Sequence, residues 1–462
     1  MSTFSGLNAA SSALSAARLG MNIAGQNIAN QDTEGYTRQR VETSAAAPLR
    51  ASGLFAADKR AGEGVNIDKI SRLGDNVLDA RVRDTLSASG FWSTKATASL
   101  NAEAVLKEPT SDGLAAQLDR FWTGWQDLAN NPDSAAAGAV VLADAKALVG
   151  NIADSYNAIA VQWKDARDTV DSVVWKVNAA ADKVAALNNS IRDALNAGRS
   201  ANELIDERNL AAQQISRLAG AVGTVEADGT MTLRIDGNAI VSGIDSRHLV
   251  VTGPGDIEAG LPTTVSWSNG MAANVTSGEL GGILDVISPT GVLAGIANSY
   301  NDVATALTTA VNGFHNGGTS STGAVTGDFF GVAAGPAALA LSVLPEDIAG
   351  LATGAGGGVF DGSNADRIAQ EGAKLGGPSD LWTKAVAKLA STTAAELSRA
   401  SQAETSAVAA VNVQQSIAGV DGDEETVSLL KHQTAYNAAA RVLTAIDEAL
   451  DVLINKTGLV GR

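Results

Sequence analysis

No cysteine occurs in the 462 residues, so disulfides, thiolate metal sites and thiol catalysis are excluded. Aromatic side chains are scarce at 4%, while hydrophobic residues reach 45%, most of them Ala, Val and Leu. That bias favours slim, closely packed helices, because Ala has the best helix propensity and lets helix axes approach. Basic residues are short as well: 33 stand against 50 acidic ones, for a formal charge of −17. A chain of that sign cannot depend on nonspecific phosphate contacts, and no nucleic-acid partner is expected. No stretch approaches the roughly 20 consecutive apolar residues of a membrane helix, so no membrane partner is expected either. The first 30 residues lack a basic segment ahead of a dense apolar one, so no cleaved secretory signal is expected. The length accommodates roughly two to four domains.

What is present is periodicity. Leu7, Leu14, Met21 and Ile28 recur every seven residues, with Ala10, Ala17 and Ala24 three positions after the first three. This is a heptad seam with one line of small residues. Arg18 is the only charge in the first 31 residues, so this helix needs burial on several sides. At the other end, Leu429, Tyr436, Leu443 and Leu450 occupy one heptad position and Ala439, Ile446 and Leu453 the other, with His432 as the polar exception. Asp421, Asp423, Glu424 and Glu425 crowd the start of that helix, where free N–H groups favour negative charge. They read as capping residues, since the carboxylate register of a calcium loop is absent.

The longest pattern runs through Leu142, Val149, Tyr156, Trp163, Val170, Val177, Val184 and Ile191. Its partner line is Ala145, Ile152, Ile159, Ala166, Val173, Ala180, Leu187 and Ala194. It predicts a helix from near Asp133 to Ala197, ended by Gly198. Leu114, Leu118, Phe121, Trp122, Trp125 and Leu128 line one face of a helix before it, and Leu293, Ile296, Tyr300, Val303, Leu307, Ala310 and Phe314 one face of a helix after it. From Val222 to Val251 short alternating runs, with Asp228-Gly229 and Asp236-Gly237 at expected type I′ turns, predict a β-meander inserted between helices. Gly317 to Gly358 reads as loops with a few strands. The fold class is therefore mainly α with a β insertion (α+β).

Evidence for chemistry is thin. His248, His315 and His432 are the only imidazoles and none has metal-ligand spacing, so structural or surface roles are expected. Gly354, Gly356, Gly357 and Gly358 are not followed by a phosphate-loop lysine. No enzyme activity, catalytic residue, metal site or cofactor is expected.

One segment is more specific. Asn27-Ile28-Ala29-Asn30-Gln31-Asp32-Thr33-Glu34-Gly35-Tyr36-Thr37-Arg38-Gln39 reads physically as a helix stop, a turn and an exiting strand anchored by Tyr36. The string resembles the signature after the N-terminal helix of bacterial flagellar axial proteins, and its Arg-Gln ending resembles the hook-associated members of that family. Further resemblances follow in the family's order: Leu118 to Pro132, Ala201 to Arg208 (ANELIDER), the DG hairpins, Ser277 to Gly282 (SGELGG), Gly419 to Glu425, and Gln433 to Tyr436. Two positions depart from the pattern: Glu34 stands where Pro is common, and Gly422 where an apolar residue is usual.

The resemblance implies an inner domain of paired terminal helices in a coiled coil (1–40 with 420–462) and a helical rod domain (41–221 with 279–316 and 379–419). A small β-rich outer domain is then 222–278, alone or joined by 317–378. It implies a structural role at the hook–filament junction, assembly through Leu7, Leu14, Met21, Ile28, Leu429, Tyr436, Leu443, Ile446, Leu450 and Leu453, and a turn motif of Asn27, Asn30, Gly35, Tyr36, Arg38 and Gln39. The implied partners are copies of the chain itself, the hook protein, a second junction protein with the filament, and a cytosolic export chaperone at the C-terminal region. Type III export to the extracellular flagellum would follow. The rivals are another axial protein, such as a flagellin or hook subunit, and, in another class, an exported enzyme or adhesin on the same scaffold.

Overall fold

The computed structural model describes residues 3–47, 62–356, 358–452 and 454. Helix α1 (Thr3–Ala29) leads into the antiparallel hairpin β1 (Gln39–Ala45) and β2 (Val65–Arg72), then α2 (Asn76–Leu106), α3 (Leu114–Asn130), α4 (Ala135–Asn196) and α5 (Asn202–Ala219). The β-rich part is β3 (Val222–Val225), β4 (Met231–Ile235), β5 (Asn238–Ser242), β6 (Asp245–Ser246), β7 (Leu249–Thr252) and β8 (Thr264–Trp267). Next come α6 (Gly278–Val286), α7 (Val292–His315), β9 (Phe330–Val332), α8 (Ala337–Ala340), β10 (Leu341–Val343) and α9 (Ser363–Gln370). The chain closes with α10 (Pro378–Ala418) and α11 (Gly422–Asp451).

The 62-residue α4 is the spine, about 93 Å long at 1.5 Å per residue. Ser134 caps its start by accepting from the Ala137 N–H at 3.2 Å, and Gly198, at φ +68°, turns the chain just beyond its end. All of its sixteen heptad positions are buried except Val149 and Ala166, which are half-buried. One 18-residue window of α4 has a mean hydropathy of 1.4, enough by composition for a membrane helix. Its apolar line is instead covered by α3, α5 and α7, while Asp and Lys residues occupy the outer face.

Three of the five buried tryptophans tie two segments through their indole N–H groups. Trp163 Nε1 donates to Ile287 O at 2.9 Å, Trp382 Nε1 to Glu108 Oε1 at 2.8 Å, and Trp122 Nε1 to Ser379 Oγ at 3.0 Å. Helices α2 and α10 run antiparallel, with Asp79, Ser89 and Ser99 accepting from or donating to Gln414, Glu404 and Glu396 in turn.

The segment Ser277 to Gly282 is explained by backbone approach. Gly278 sits at φ +71°, where a Cβ would lie 2.7 Å from the backbone nitrogens of Ala219 and Gly220. A Cβ on Gly282 would lie 2.8 Å from Phe91 O. These glycines let α6 cross α2 and the end of α5 with no side chain between.

Strands β3 to β6 form a meander, and β7 pairs with β8. Of the two expected type I′ turns, only Asp236-Gly237 is one: both residues have positive φ (48° and 77°), and Ile235 pairs directly with Asn238. The other connection has five residues, Glu226 to Thr230. Asp228 accepts there from the Thr230 N–H and hydroxyl, and only Gly229 has positive φ. Met231, Leu233, Ile235, Ile240 and Val241 enter the same apolar core as α4. Asn188 binds Met231 N, Met231 O and Gly243 O, and Asn178 binds Leu249 N and O. These β-strands are therefore pinned along α4.

Candidate assembly site

Helices α1 and α11 lie antiparallel in a fixed register. Gly6 faces Ile446, Gly20 faces His432, and Asn27 reaches Glu425. Ala10, Ala17, Ala24 and Ala439 are buried, whereas Leu7, Leu14, Met21, Ile28, Leu429, Tyr436, Leu443, Ile446 and Leu450 are half-buried. Leu453 lies outside the described residues. The small line is thus the deeper one, because Gly and Ala allow close approach and push the larger side chains to the rim. The β1–β2 hairpin covers another side of α1, with the Val65 N–H donating to Ser12 Oγ at 3.2 Å. Val427, Leu430 and Val442 on α11 remain exposed. Ser5, Gly6, Ala9, Ala10 and Ala13 of α1 line a groove of about 370 Å³ with Ala439, Val442 and Ile446.

At the far end of this pair the turn motif becomes a polar joint. Asn27, 1% exposed, makes four hydrogen bonds: Nδ2 donates to Gln39 O and Glu425 Oε2, both at 3.0 Å, and Oδ1 accepts from Tyr36 Oη at 2.9 Å and the Gln39 N–H at 3.1 Å. Its amide is saturated. Arg38 donates from Nη1 to Glu424 and from Nε to Glu425, both at 2.7 Å, and its backbone N–H reaches Ala418 O. Gln39 donates to Glu203 Oε1 and accepts from Asn202 Nδ2; Gln26 also donates to Glu203. The Thr37 N–H donates to Asp206, which also holds Arg72, and Arg72 lies 3.7 Å from Asp79. Asp79 accepts in turn from Asn209 and Gln414. Asn30 closes α1 by bonding Gln26 O and Thr33 Oγ1, and Gly35 turns at φ +78° against Leu210.

Electrostatics follow from this crowding. Burial, with Glu203, Asp206 and Glu425 nearby, pushes the Tyr36 hydroxyl up to about 12, so it stays a donor. Burial disfavours the Arg38 cation, but Glu424 and Glu425 outweigh it and raise its pKa. Burial would also raise Glu203, yet the bonds from Gln39, its own backbone and Gln26 hold it below the usual range. For Asp206 burial prevails over Arg72 and raises the carboxyl.

Four of the six turn-motif residues, Asn27, Tyr36, Arg38 and Gln39, thus converge on one joint with Asn202, Glu203, Asp206, Glu424 and Glu425, while Asn30 and Gly35 shape the turn beside it. Of the terminal acids, Asp421 alone is the side-chain cap, accepting from the Asp423 and Glu424 N–H groups. Glu424 and Glu425 instead hold Arg38, a role the local sequence does not reveal. The sequence does carry a signal for α5: Asn202, Asp206 and Asn209, polar residues at the i, i+4, i+7 spacing of an apolar face, are all buried.

The histidines have other settings. His315 is fully buried, with Nδ1 bonded to Gly327 O at 2.7 Å and Nε2 accepting from the Ala352 N–H at 3.1 Å; burial lowers its pKa. His248 lies on the surface, where Asp182 Oδ1 accepts from both His248 Nε2 and Ser246 Oγ. The carboxylate stands between serine and imidazole, so this trio is not arranged for a relayed proton transfer. Among the described residues there is no group of three or more His, Asp or Glu side chains placed to hold a metal ion.

Comparison with known proteins follows the same segments. Residues 7–37 match the flagella basal body rod protein family, and 414–456 the flagellar basal body rod FlgEFG protein C-terminal family, covering most of both terminal helices. The chain is 29% identical to flagellar hook-associated protein 1 of Bacillus subtilis over the whole of both chains. It is 27% identical to that of Escherichia coli across 71% of this chain and 60% of the relative. The structure of the flagellar hook junction protein FlgK from Burkholderia pseudomallei aligns at 21% identity and a TM-score of 0.48, over 56% of this chain and 47% of that one. Residues 100–330, which hold α3 to α7 and the β-strands pinned to α4, match the flagellar hook-associated protein FlgK helical domain. With that domain filling half of its length between two axial-protein termini, the chain belongs to the flagellar hook-associated protein FlgK family.

Proposed function

We propose that the chain is a structural axial protein of the bacterial flagellum, joining hook to filament by polymerising through its terminal helices. The observation that carries this reading is the α1–α11 pair. Its large seam residues are left half-exposed at the rim, and the Asn27–Arg38–Glu425 joint fixes it to the rod. A helix pair whose apolar rim is incompletely covered gains stability from neighbouring subunits, as a polymer requires. The partners are other copies of this chain, hook protein on one side, and a second junction protein with the filament on the other. A cytosolic chaperone engages the C-terminal region before type III export to the extracellular flagellum. The inner domain takes the terminal helices, the rod takes α2 to α7 and α10, and the β insertion lies along the rod. The function is one of holding, without turnover. Electron microscopy of a deletion strain tests it: hooks that persist without filaments, restored by the wild-type chain but not by Leu14→Asp or Leu443→Asp, are expected. Normal filaments in the deletion strain would refute it.

A further inference from the structure

Two arginines in the interior of the rod are held, among the described residues, by neutral oxygens alone. Arg83 on α2 is 3% exposed and Arg208 on α5 is 2% exposed. Arg83 Nη2 donates to Gly223 O at 3.2 Å, Arg208 Nη1 to Gly229 O at 2.6 Å, and Arg208 Nη2 to Asn209 Oδ1 at 3.2 Å. Both side chains thus reach the same short stretch of chain, β3 and the connection that follows it. Arg83 Nε, Arg83 Nη1 and Arg208 Nε are buried and donate to no protein atom.

The acids nearby are already taken. Asp206 holds Arg72 and the Thr37 N–H, while Asp79 accepts from Asn209 and Gln414 and lies 3.7 Å from Arg72. Glu207, next to Arg208, is exposed and pairs with Lys183. Asp84, next to Arg83, is exposed as well, so water and salt screen it. In the interior, Arg72, Arg83 and Arg208 therefore stand against Asp79 and Asp206, three positive charges against two negative ones. Burial, then Arg72 and Arg83, push Arg208 down to about 10, and burial lowers Arg83 against the pull of Asp79 and Asp84. Both remain cations at neutral pH. A buried charge without a partner is among the costliest features a fold can hold, and a guanidinium cannot escape the cost by losing its proton.

We infer that the Arg83–Arg208 cluster is a binding site for one small monovalent anion, chloride being the fitting ligand, which accepts from the free N–H groups and balances the third charge. The class of ligand follows from the enclosure and the charge. The unpartnered nitrogens are shut off from solvent, so the ligand is small, and one missing negative charge calls for a monovalent ion. Phosphate or sulfate would overshoot the balance. A water molecule accepts hydrogen bonds but brings no charge. The bound ion ties α2 and α5 to the β3–β4 hairpin, whose carbonyls the two arginines already hold. The inference concerns the rod alone, so it rests neither on the flagellar assignment nor on the state of the terminal helices.

The test uses the full-length chain, unfolded by urea and followed by circular dichroism, with sodium gluconate exchanged for sodium chloride at constant ionic strength. An ion bound only by the folded chain multiplies the folding equilibrium constant by one plus the ratio of its concentration to Kd, so a rise of about fivefold or more is expected by roughly 0.2 M chloride. Bromide, of like charge and similar size, should act in the same way. In Arg83→Met the rise should disappear. Arg208→Lys keeps the charge but lacks the Nε–H, and should need severalfold more chloride for the same effect. No rise in the wild type, or an equal rise in the wild type and Arg83→Met, would overturn the site and leave water on the free nitrogens. Should Arg83→Met fail to fold, broadening of the chloride NMR line by the folded wild type decides. Broadening that bromide displaces and Arg208→Lys reduces severalfold supports the site, and broadening that Arg208→Lys leaves unchanged overturns it.

Discussion

Asn27→Ala is the sharpest single perturbation of the joint. The substitution removes four hydrogen bonds at once, but the partners differ in what they lose. Tyr36 is only half-buried, while Glu425 keeps Arg38 Nε at 2.7 Å. The backbone N–H and C=O of Gln39, a residue 4% exposed, lose the Asn27 amide that each bonds. An unsatisfied buried group costs about 1–3 kcal/mol, so the two together cost roughly 2–6 kcal/mol. That is a large share of the roughly 5–15 kcal/mol by which domains are stable. Asn30→Ala is the control, because its bonds to Gln26 O and Thr33 are local and partly solvated; about 1 kcal/mol or less is expected. Asn27→Asp should cost at least as much as the alanine variant, since it keeps the acceptors but sets a carboxylate where Glu425 now accepts at 3.0 Å. Trypsin offers a local assay at Arg38. When reclosing outpaces cleavage, the cut rate follows the open population, and 2 kcal/mol corresponds to about a 30-fold rise. Urea unfolding followed by circular dichroism gives the second reading. Cleavage of Asn27→Ala at the same rate as Asn30→Ala, with unfolding midpoints alike, would refute the reasoning.

Three further outcomes are expected. Gly278→Ala puts a Cβ against Ala219 and Gly220 at a positive φ and should lower stability by about 3 kcal/mol or more, read as a shifted thermal midpoint; an unchanged midpoint would contradict the close α5–α6 crossing. For His315 the folded pKa lies below the unfolded value, so its contribution is complete above about pH 6.5 and lost as pH falls through the folded value. Urea unfolding at pH 7.5 and 5.5 should show that slope, and His315→Asn should flatten it. Replacing Val222 to Asn274 with a Gly-Ser linker should reduce helicity by circular dichroism, because it uncovers α4 where Asn178 and Asn188 hold β7 and β4; full retention would show that the strands are separable.

The long elements were legible because burial on one helix face leaves a period in the sequence. The α4 pattern predicted Asp133 to Ala197 against an observed Ala135–Asn196, and the heptad lines from Leu7 to Ile28 and from Leu429 to Leu450 fall inside α1 and α11. The β1–β2 hairpin and α2 were not legible. β1 reads Gln-Arg-Val-Glu-Thr-Ser-Ala with few buried positions, and α2 buries Ser87, Ser89, Gly90 and Ser99 where an apolar stripe would have announced it. The β insertion was legible as strands but not as part of the rod's core, since alternation marks an inner face without naming what it faces. At the joint, the motif residues were visible and their partners were not. Arg38 and Glu425 are separated by 387 positions, and an acidic helix start has a sufficient local explanation in capping.

The same joint bears on how motion at the termini reaches the rod. Its ion pairs contribute little by themselves. Glu424 is exposed, so its pair with Arg38 is worth up to about 1 kcal/mol, and the buried Glu425 offsets much of its attraction by desolvation. Rigidity comes instead from saturation. Asn27 satisfies β1, α11 and the turn together, Asp206 holds the turn to β2, and Asp79 collects β2, α5 and α10. No one of these elements shifts without leaving a buried partner of another unpaired, a cost larger than any one ion pair returns. A bend imposed on the terminal helices is therefore transmitted to α5 and α10 rather than absorbed between them, which is the mechanical property a subunit between two dissimilar polymers needs.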